Sequence, residues 1–393
     1  MVGAANQSPA PERHPGRRLP DPPVIPLPSL SALVEAAASA PSGDNCQPWR
    51  FRWDGHALQI LIDPERAESF YDFRQVASWV ALGALLENLD LAAASRGLQP
   101  VVELWPEGGA GKIAARVVFT SCEPAPSPLV AAIPERCVNR RPYRRARLPD
   151  VLSEAFLAAG RGVPGLRTRL VERAGDISRL ASLAALNDRV LFENRPLHAG
   201  LQRWLRWTRE EVLRTRDGMP IESLELGRAE RPGFRLLSRW SFARLLGSVG
   251  GTRLLPLRAR RTYLRSAAIG LVTVDGEGAE GFVRAGRVVE RIWLTATAHK
   301  VAFQPITGVS FLLLRLWLGP GEGLSPAHRR LLGWIGGELR EMLQLGPEEL
   351  PVMLFRVGFA EPPTARALRL SISNLLTVTA PTTPSPPLGE RAG

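Results

Sequence analysis

Residues 40–51 read Ala-Pro-Ser-Gly-Asp-Asn-Cys-Gln-Pro-Trp-Arg-Phe, a run that could hold the edge of a flat, polar ring. Pro41 and Gly43 end an alanine-rich helical run at 30–40. Ser42, Asn45 and Gln47 then offer backbone N–H groups and polar side chains, before Pro48-Trp49 turns the chain into a strand. Donors displayed this way can hydrogen-bond a heteroaromatic ring, although the same residue types also build ordinary surface loops. A second cluster, Arg136-Cys137-Val138-Asn139-Arg140-Arg141-Pro142-Tyr143, concentrates guanidinium groups. These could grip a phosphate or simply lie solvated.

Other chemistries find little support. Cys46, Cys122 and Cys137 are odd in number and far apart, and they read as reduced thiols rather than a disulfide frame or zinc site. The five histidines form no close pair and no His-Glu-x-x-His, so no metal site is expected. No Gly-x-Ser-x-Gly elbow occurs, and glycines 108–111 before Lys112 read as a hairpin turn rather than a phosphate loop. The net charge is +12, and lysine occurs only at Lys112 and Lys300. So strong an arginine bias suits nucleic acid or phosphate, or an arginine-favouring, GC-rich coding sequence; no block is long enough for a nucleic-acid arm. Arg17-Arg18 lacks the apolar core of an export signal, and the apolar run 306–319 contains Arg315 and is too short to cross a bilayer. A cytoplasmic protein without membrane or nucleic-acid partner is expected.

The elements that must position these residues alternate between helix and strand. Helices are expected at 29–40, 73–96, about 150–160, about 176–193, 280–300 and 325–343. Strands are expected at 51–53, 57–62, 101–105, 113–119, 166–171, 267–274 and 352–357. Asp54-Gly55 suits a tight hairpin, and Gly97 a helix C-cap. The chain of 393 residues divides into a proline-rich tail at 1–28, a first half at 29–130, a second at 131–379 and a tail at 380–393. The halves read as an imperfect duplication: 78–97 parallels 283–302, with a glycine four residues before Glu87 and before Glu290. Small residues there let two helices approach closely. Residues 196–262, rich in Arg and Trp, read as an insertion, a lid in preference to a membrane or nucleic-acid helix.

On these residues the chain resembles the flavin-dependent nitroreductase family. The 40–51 run is similar to its Pro-Ser-x-x-Asn-x-Gln-Pro-Trp turn, and the 136–143 run to its Arg-x-Ser-x-Arg opening, with Val138 in place of a hydroxyl residue. Gly286–Thr307 resembles its core helix and the loop beyond, and 351–358 its terminal strand, followed by Arg366 and Arg369. The first half keeps the turn and the second keeps the arginines, so the resemblance implies a single-chain pseudo-dimer with one site. The implied fold is α+β, a layered sheet with flanking helices and two fused halves. The implied cofactor is FMN, with NADH or NADPH as reductant and a nitroaromatic, quinone or similar small molecule as acceptor. Pro41, Ser42, Gly43, Asn45, Gln47, Gln304, Pro305 and Ile306 are then expected around the ring. Arg136, Asn139 and Arg140 are expected at the phosphate, completed by Arg366 or Arg369 in preference to Arg356. No catalytic acid or base is implied, because the flavin carries the chemistry. The chain is expected as a monomer or weak homodimer. A lid over 204–216 that excluded the nicotinamide would instead make a flavin store.

Overall fold

The computed structural model describes residues 23–108 and 111–379, and its two main sheets repeat one strand order. The expected C-terminal tail, most of the N-terminal one, Arg17-Arg18 and the centre of the 108–111 turn lie outside the described residues. In the first round β1 (Trp49–Trp53) and β2 (Ala57–Ile62) precede a long helix, Val76–Ala94; β3 (Leu98–Leu104) and β4 (Ile113–Ser121) follow it. In the second, β5 (Leu166–Val171) comes first, and the short parallel pair β6 (Leu205–Arg206) and β7 (Met219–Pro220) lies within the insertion. The round is completed by β8 (Ala268–Asp275), the helix Ala279–Ala298, β9 (Ala302–Ile306) and β10 (Glu349–Gly358). The orders β1-β2-β4-β3 and β5-β8-β10-β9 are the same path, antiparallel throughout. The connections differ: residues 307–348, with two helices, join β9 to β10 where 105–112 join β3 to β4. Where Asp54-Gly55 closes the first hairpin, residues 172–267 intervene between β5 and β8.

A fifth strand, β11 (Leu376–Val378), pairs in parallel with β1 through Phe51 and Leu376. The C-terminal segment, placed with the second half by sequence, thus completes the sheet of the first. Three residues with no alternation carry too little pattern to reveal such a strand.

The two long helices cross at their glycines. A Cβ on Gly83 would lie 1.9 Å from the Val283 carbonyl oxygen, and one on Gly286 would lie 2.0 Å from that of Val80. Each glycine therefore meets the carbonyl three residues before the other, as a two-fold relation between like helices requires. The register of the repeat is corrected here: Val80, not Ser78, matches Val283, in step with the glycines. Leu82, Leu85 and Leu89 turn to the first core, and Phe282, Val289 and Ile292 to the second.

β8 and β10 are buried almost throughout, because helices cover both their faces. The helix Ala279–Ala298 packs one face; Ala174–Glu193, Thr307–Trp317 and Pro326–Leu343 line the other. The apolar run 306–319 is the end of β9 and the helix Thr307–Trp317. Continuous hydrophobicity leaves a buried strand and a buried helix indistinguishable by period. By length and composition one helix among the described residues, Phe73–Ala94, could span a membrane, yet 78% of its apolar window is buried against the rest of the protein.

Candidate functional site

The Pro-Ser turn follows the helix Leu27–Ala38 and folds through three left-handed residues, Asp44 (φ 49°), Asn45 (φ 57°) and Gln47 (φ 49°). Non-glycine residues hold such angles only where contacts over-determine them. The contacts are present. Ser42 Oγ accepts the Gln47 N–H at 2.9 Å, and Asn45 Nδ2 donates to the carbonyls of Gly218 and Leu368, both at 3.0 Å. Gln47 Nε2 donates to Arg216 O at 3.0 Å while its Oε1 accepts from Leu370 N at 2.8 Å. The turn is thus clamped between the insertion and the C-terminal segment.

Beside it is a cavity of about 250 Å³ at the crossing of the two core helices. Pro41, Ser42, Gly43 and Asn45 line it from the first half, and Arg136, Arg140, Pro305, Arg366 and Arg369 from the second. Nine sequence-predicted residues from both halves therefore meet at one place. A second cavity of about 460 Å³ shares Gly43, Arg140 and Pro305 with the first and adds Gln304 and Ile306.

Two expected residues line neither cavity. Gln47 is fully buried, with its amide consumed by the two clamps above. Asn139 donates to Glu361 O at 2.8 Å and accepts from Arg141 N at 3.0 Å, so it shapes the arginine loop from within. Asn45 lines the first cavity with its amide spent, since its Oδ1 accepts from Arg369 Nη1 at 2.8 Å. Amides suited to a ligand are equally suited to pinning a strained turn, and the sequence does not distinguish the two.

The four arginines are not equivalent. Arg136 Nε lies 3.0 Å from Glu290 Oε1, with both side chains almost wholly buried and poorly aligned for a hydrogen bond. The guanidinium also covers the Trp293 ring at 4.5 Å. Burial pushes the Glu290 carboxyl up to about 7, against the pull of Arg136. Arg369 braces the turn through Ser39 O and Ala40 O, and burial with Arg136 nearby pushes it down to about 9. Among the described residues its Nε is buried without a hydrogen-bond partner. Arg366 donates to Pro134 O at 2.6 Å. Arg140 makes only a 3.3 Å contact to Ser223 O and a 3.5 Å contact to Met219 Sδ, which leaves its charge the least committed. Arg356 lines neither cavity: it stacks 3.7 Å from the Tyr143 ring centre and donates to Gln304 Oε1 at 2.7 Å.

Sequence reasoning missed Asp44 and Asp188. Asp44 lines both cavities, and burial pushes it up to about 6 with Arg140 opposing. Asp188 lines the larger cavity and is pushed up to about 7 by burial. A lone Asp in a turn and another in an amphipathic helix carry no signal until the fold encloses them.

The insertion roofs the larger cavity, with a correction to its expected footprint. Leu201, Trp204, Met219, Leu226, Phe234 and Leu255 line that cavity; the residues between Trp204 and Met219 do not. Trp204 is instead ringed by Arg66, Arg203 and Arg206 at 5.4, 5.4 and 5.7 Å. Arg66 and Arg206 both grip Asp217, each at 2.6 Å. These arginines are occupied within the fold.

No family model matches the chain. It is 28% identical over 371 residues to the uncharacterized protein MT1398 of Mycobacterium tuberculosis (strain CDC 1551 / Oshkosh), covering 93% of this chain and 51% of that one. The chain thus spans about half the length of that relative. It is also 26% identical over 354 residues to the protein of the same organism named "Putative NAD(P)H nitroreductase acg", covering 86% of this chain and 93% of the relative. The chain is thus similar in sequence to one relative that is named as a nitroreductase. Among solved structures, the chain is similar to the FMN-dependent nitroreductase NfnB from Mycobacterium smegmatis in complex with NADPH (17% identity, 63% of this chain and 96% of that one, TM-score 0.35). It is also similar to oxidized iodotyrosine deiodinase bound to FMN and 3-iodo-L-tyrosine (11% identity, 62% and 95%, TM-score 0.34).

Proposed function

We propose that the chain is an FMN-binding oxidoreductase of nitroreductase type, taking electrons from NADH or NADPH and passing them to a small nitroaromatic, quinone or similar acceptor. The carrying observation is the convergence of the Pro-Ser turn and four arginines on one cavity that neither half could line alone. Its donors suit the cofactor. Arg369 Nε, buried among the described residues without a hydrogen-bond partner, has a donor free for an acceptor, and a phosphate supplies one. Bound there, the flavin would supply the redox chemistry. The chain's own residues would bind, orient and exclude water: the arginines at the anionic end, Pro305 and the backbone around Gly43 beside the ring, the insertion above. In this reading the protein is a cytoplasmic monomer, with the pseudo-dimer interface inside one chain. Flavin measured against protein after reconstitution tests it. One equivalent per chain is expected; two would overturn the single-site reading, and none the flavin reading.

A second reading, a flavin store with little turnover, is favoured by the anchoring of the roof. Gly218 exchanges two hydrogen bonds with Asn45, its N–H meeting Asn45 O at 3.2 Å and its carbonyl accepting from Nδ2. Asp217→Ala separates the two readings, because it releases Arg66 and Arg206 from the base of the roof. If the roof limits access, anaerobic bleaching of the flavin band by NADPH in stopped flow accelerates several-fold. Equal rates in variant and wild type would show that this anchor does not gate the ring.

A further inference from the structure

The larger cavity holds charged groups that the flavin reading does not use. Most of them are already paired. Arg66 is held by Asp217, Asp72 accepts from the Ser78 N–H at 3.1 Å and hydroxyl at 2.5 Å, and Arg258 is held by Glu230 at 3.1 Å and by the Glu225 carbonyl at 3.0 Å. Asp188 differs. Among the described residues its carboxylate has no hydrogen bond and no cation within ion-pair distance, and the half-buried side chain lines a cavity whose roof is mostly apolar. Burial pushes it up to about 7, with the more distant Arg258 guanidinium opposing.

Gln304 supplies a second, independent observation. It is 8% exposed and lines the same cavity; Arg356 holds its Oε1 at 2.7 Å, and among the described residues its Nε2 amide group has no protein hydrogen bond. An amide N–H₂ that faces the cavity with no protein acceptor suits a ligand that brings an acceptor oxygen. The walls between these groups include Leu201, Phe234 and Phe311, which fit an aromatic body.

We propose that the roofed chamber binds a compact aromatic molecule carrying a protonated amine, with Asp188 as the counter-ion of the amine and Gln304 Nε2 donating to an acceptor oxygen. As a statement about the electron acceptor this rests on the flavin reading; as a statement about binding it does not. The probes are 4-nitrobenzylamine, its neutral isostere 4-nitrobenzyl alcohol, and 4-nitrobenzoate, titrated calorimetrically into flavin-loaded protein without reductant. The amine is expected to bind about ten- to a hundredfold more tightly than the alcohol, the range of one charge-assisted hydrogen bond, and the benzoate most weakly. Asp188→Asn abolishes the preference and leaves the alcohol's affinity unchanged, which also reports that the chamber remains folded; Asp188→Glu restores at least part of it. Equal affinities for amine and alcohol in the wild type would overturn the proposal, as would a preference that survives in Asp188→Asn. Titration of flavin-free protein keeps the two readings apart. A chain that never takes up flavin yet prefers the amine loses the redox reading alone, and a chain with one flavin and no preference loses only this one.

Discussion

Alanine at Gly83 or Gly286 destabilises the protein by about 1–3 kcal/mol or more, although each is a single added methyl group in a helix, where alanine is ordinarily the better residue. The atoms it would meet are backbone. A Cβ at 1.9 or 2.0 Å from a carbonyl oxygen cannot be relieved by rotating a side chain, so the helices Val76–Ala94 and Ala279–Ala298 must separate along their contact. The double variant costs less than the sum, because the first substitution has already opened the crossing for the second. Gly337→Ala is the control: it lies within the helix Pro326–Leu343 with nothing within 4 Å, and gains about 0.5–1 kcal/mol. Urea unfolding followed by circular dichroism reads the four variants against the wild type. The loss does not depend on protein concentration, since both glycines belong to one chain. If Gly83→Ala and Gly286→Ala were as stable as Gly337→Ala, the crossing would not be the tight internal interface described here.

That crossing shows what a sequence discloses and what it withholds. Glycine at the same distance before Glu87 and Glu290 was visible as a repeat, since close helix contact demands a residue without a side chain. The register came out two residues astray, because leucines and alanines in both helices match at several offsets while only the glycines are irreplaceable. The hairpin at Asp54-Gly55 was legible for a similar reason: Gly55 takes a φ of 93°, and the Asp54 carboxylate accepts the N–H groups of His56 and Ala57. The turn at 41–47 and the arginines at 136 and 140 were legible as a set, and the fold brings most of that set to one cavity. Gln47 and Asn139 line neither cavity, because their residue types report a capacity for hydrogen bonding without its direction. Asp188 was invisible. Its significance comes from a roof supplied by residues well downstream of it, a relation that no local pattern encodes.

Arg140 and Arg136 should then fail in different ways, although both line the same cavity. Arg140 has only weak protein contacts, so Arg140→Ala leaves the fold intact and weakens flavin mononucleotide binding about ten- to a hundredfold, the value of one charge-assisted hydrogen bond. Fluorescence titration checks this, and unchanged affinity would remove Arg140 from the phosphate site. Arg136 is the counter-ion of Glu290, and removing one partner of a buried pair typically costs about 3–5 kcal/mol. Part of that cost is avoidable, because burial already holds the Glu290 carboxyl near 7 and a proton can replace the lost arginine. A carboxyl raised in the folded state stabilises at low pH, and that contribution is lost as pH rises toward and through its folded value. Arg136→Met removes the influence that lowers Glu290, so its folded value climbs further and the loss extends to higher pH. The deficit of Arg136→Met against wild type should therefore be modest at pH 6 and widen by pH 8, in urea unfolding of flavin-free protein. A deficit that is the same at both pH values would mean that Glu290 does not take up the proton, and that the arginine contributes through its packing on Trp293 and its bond to Ser39 O alone.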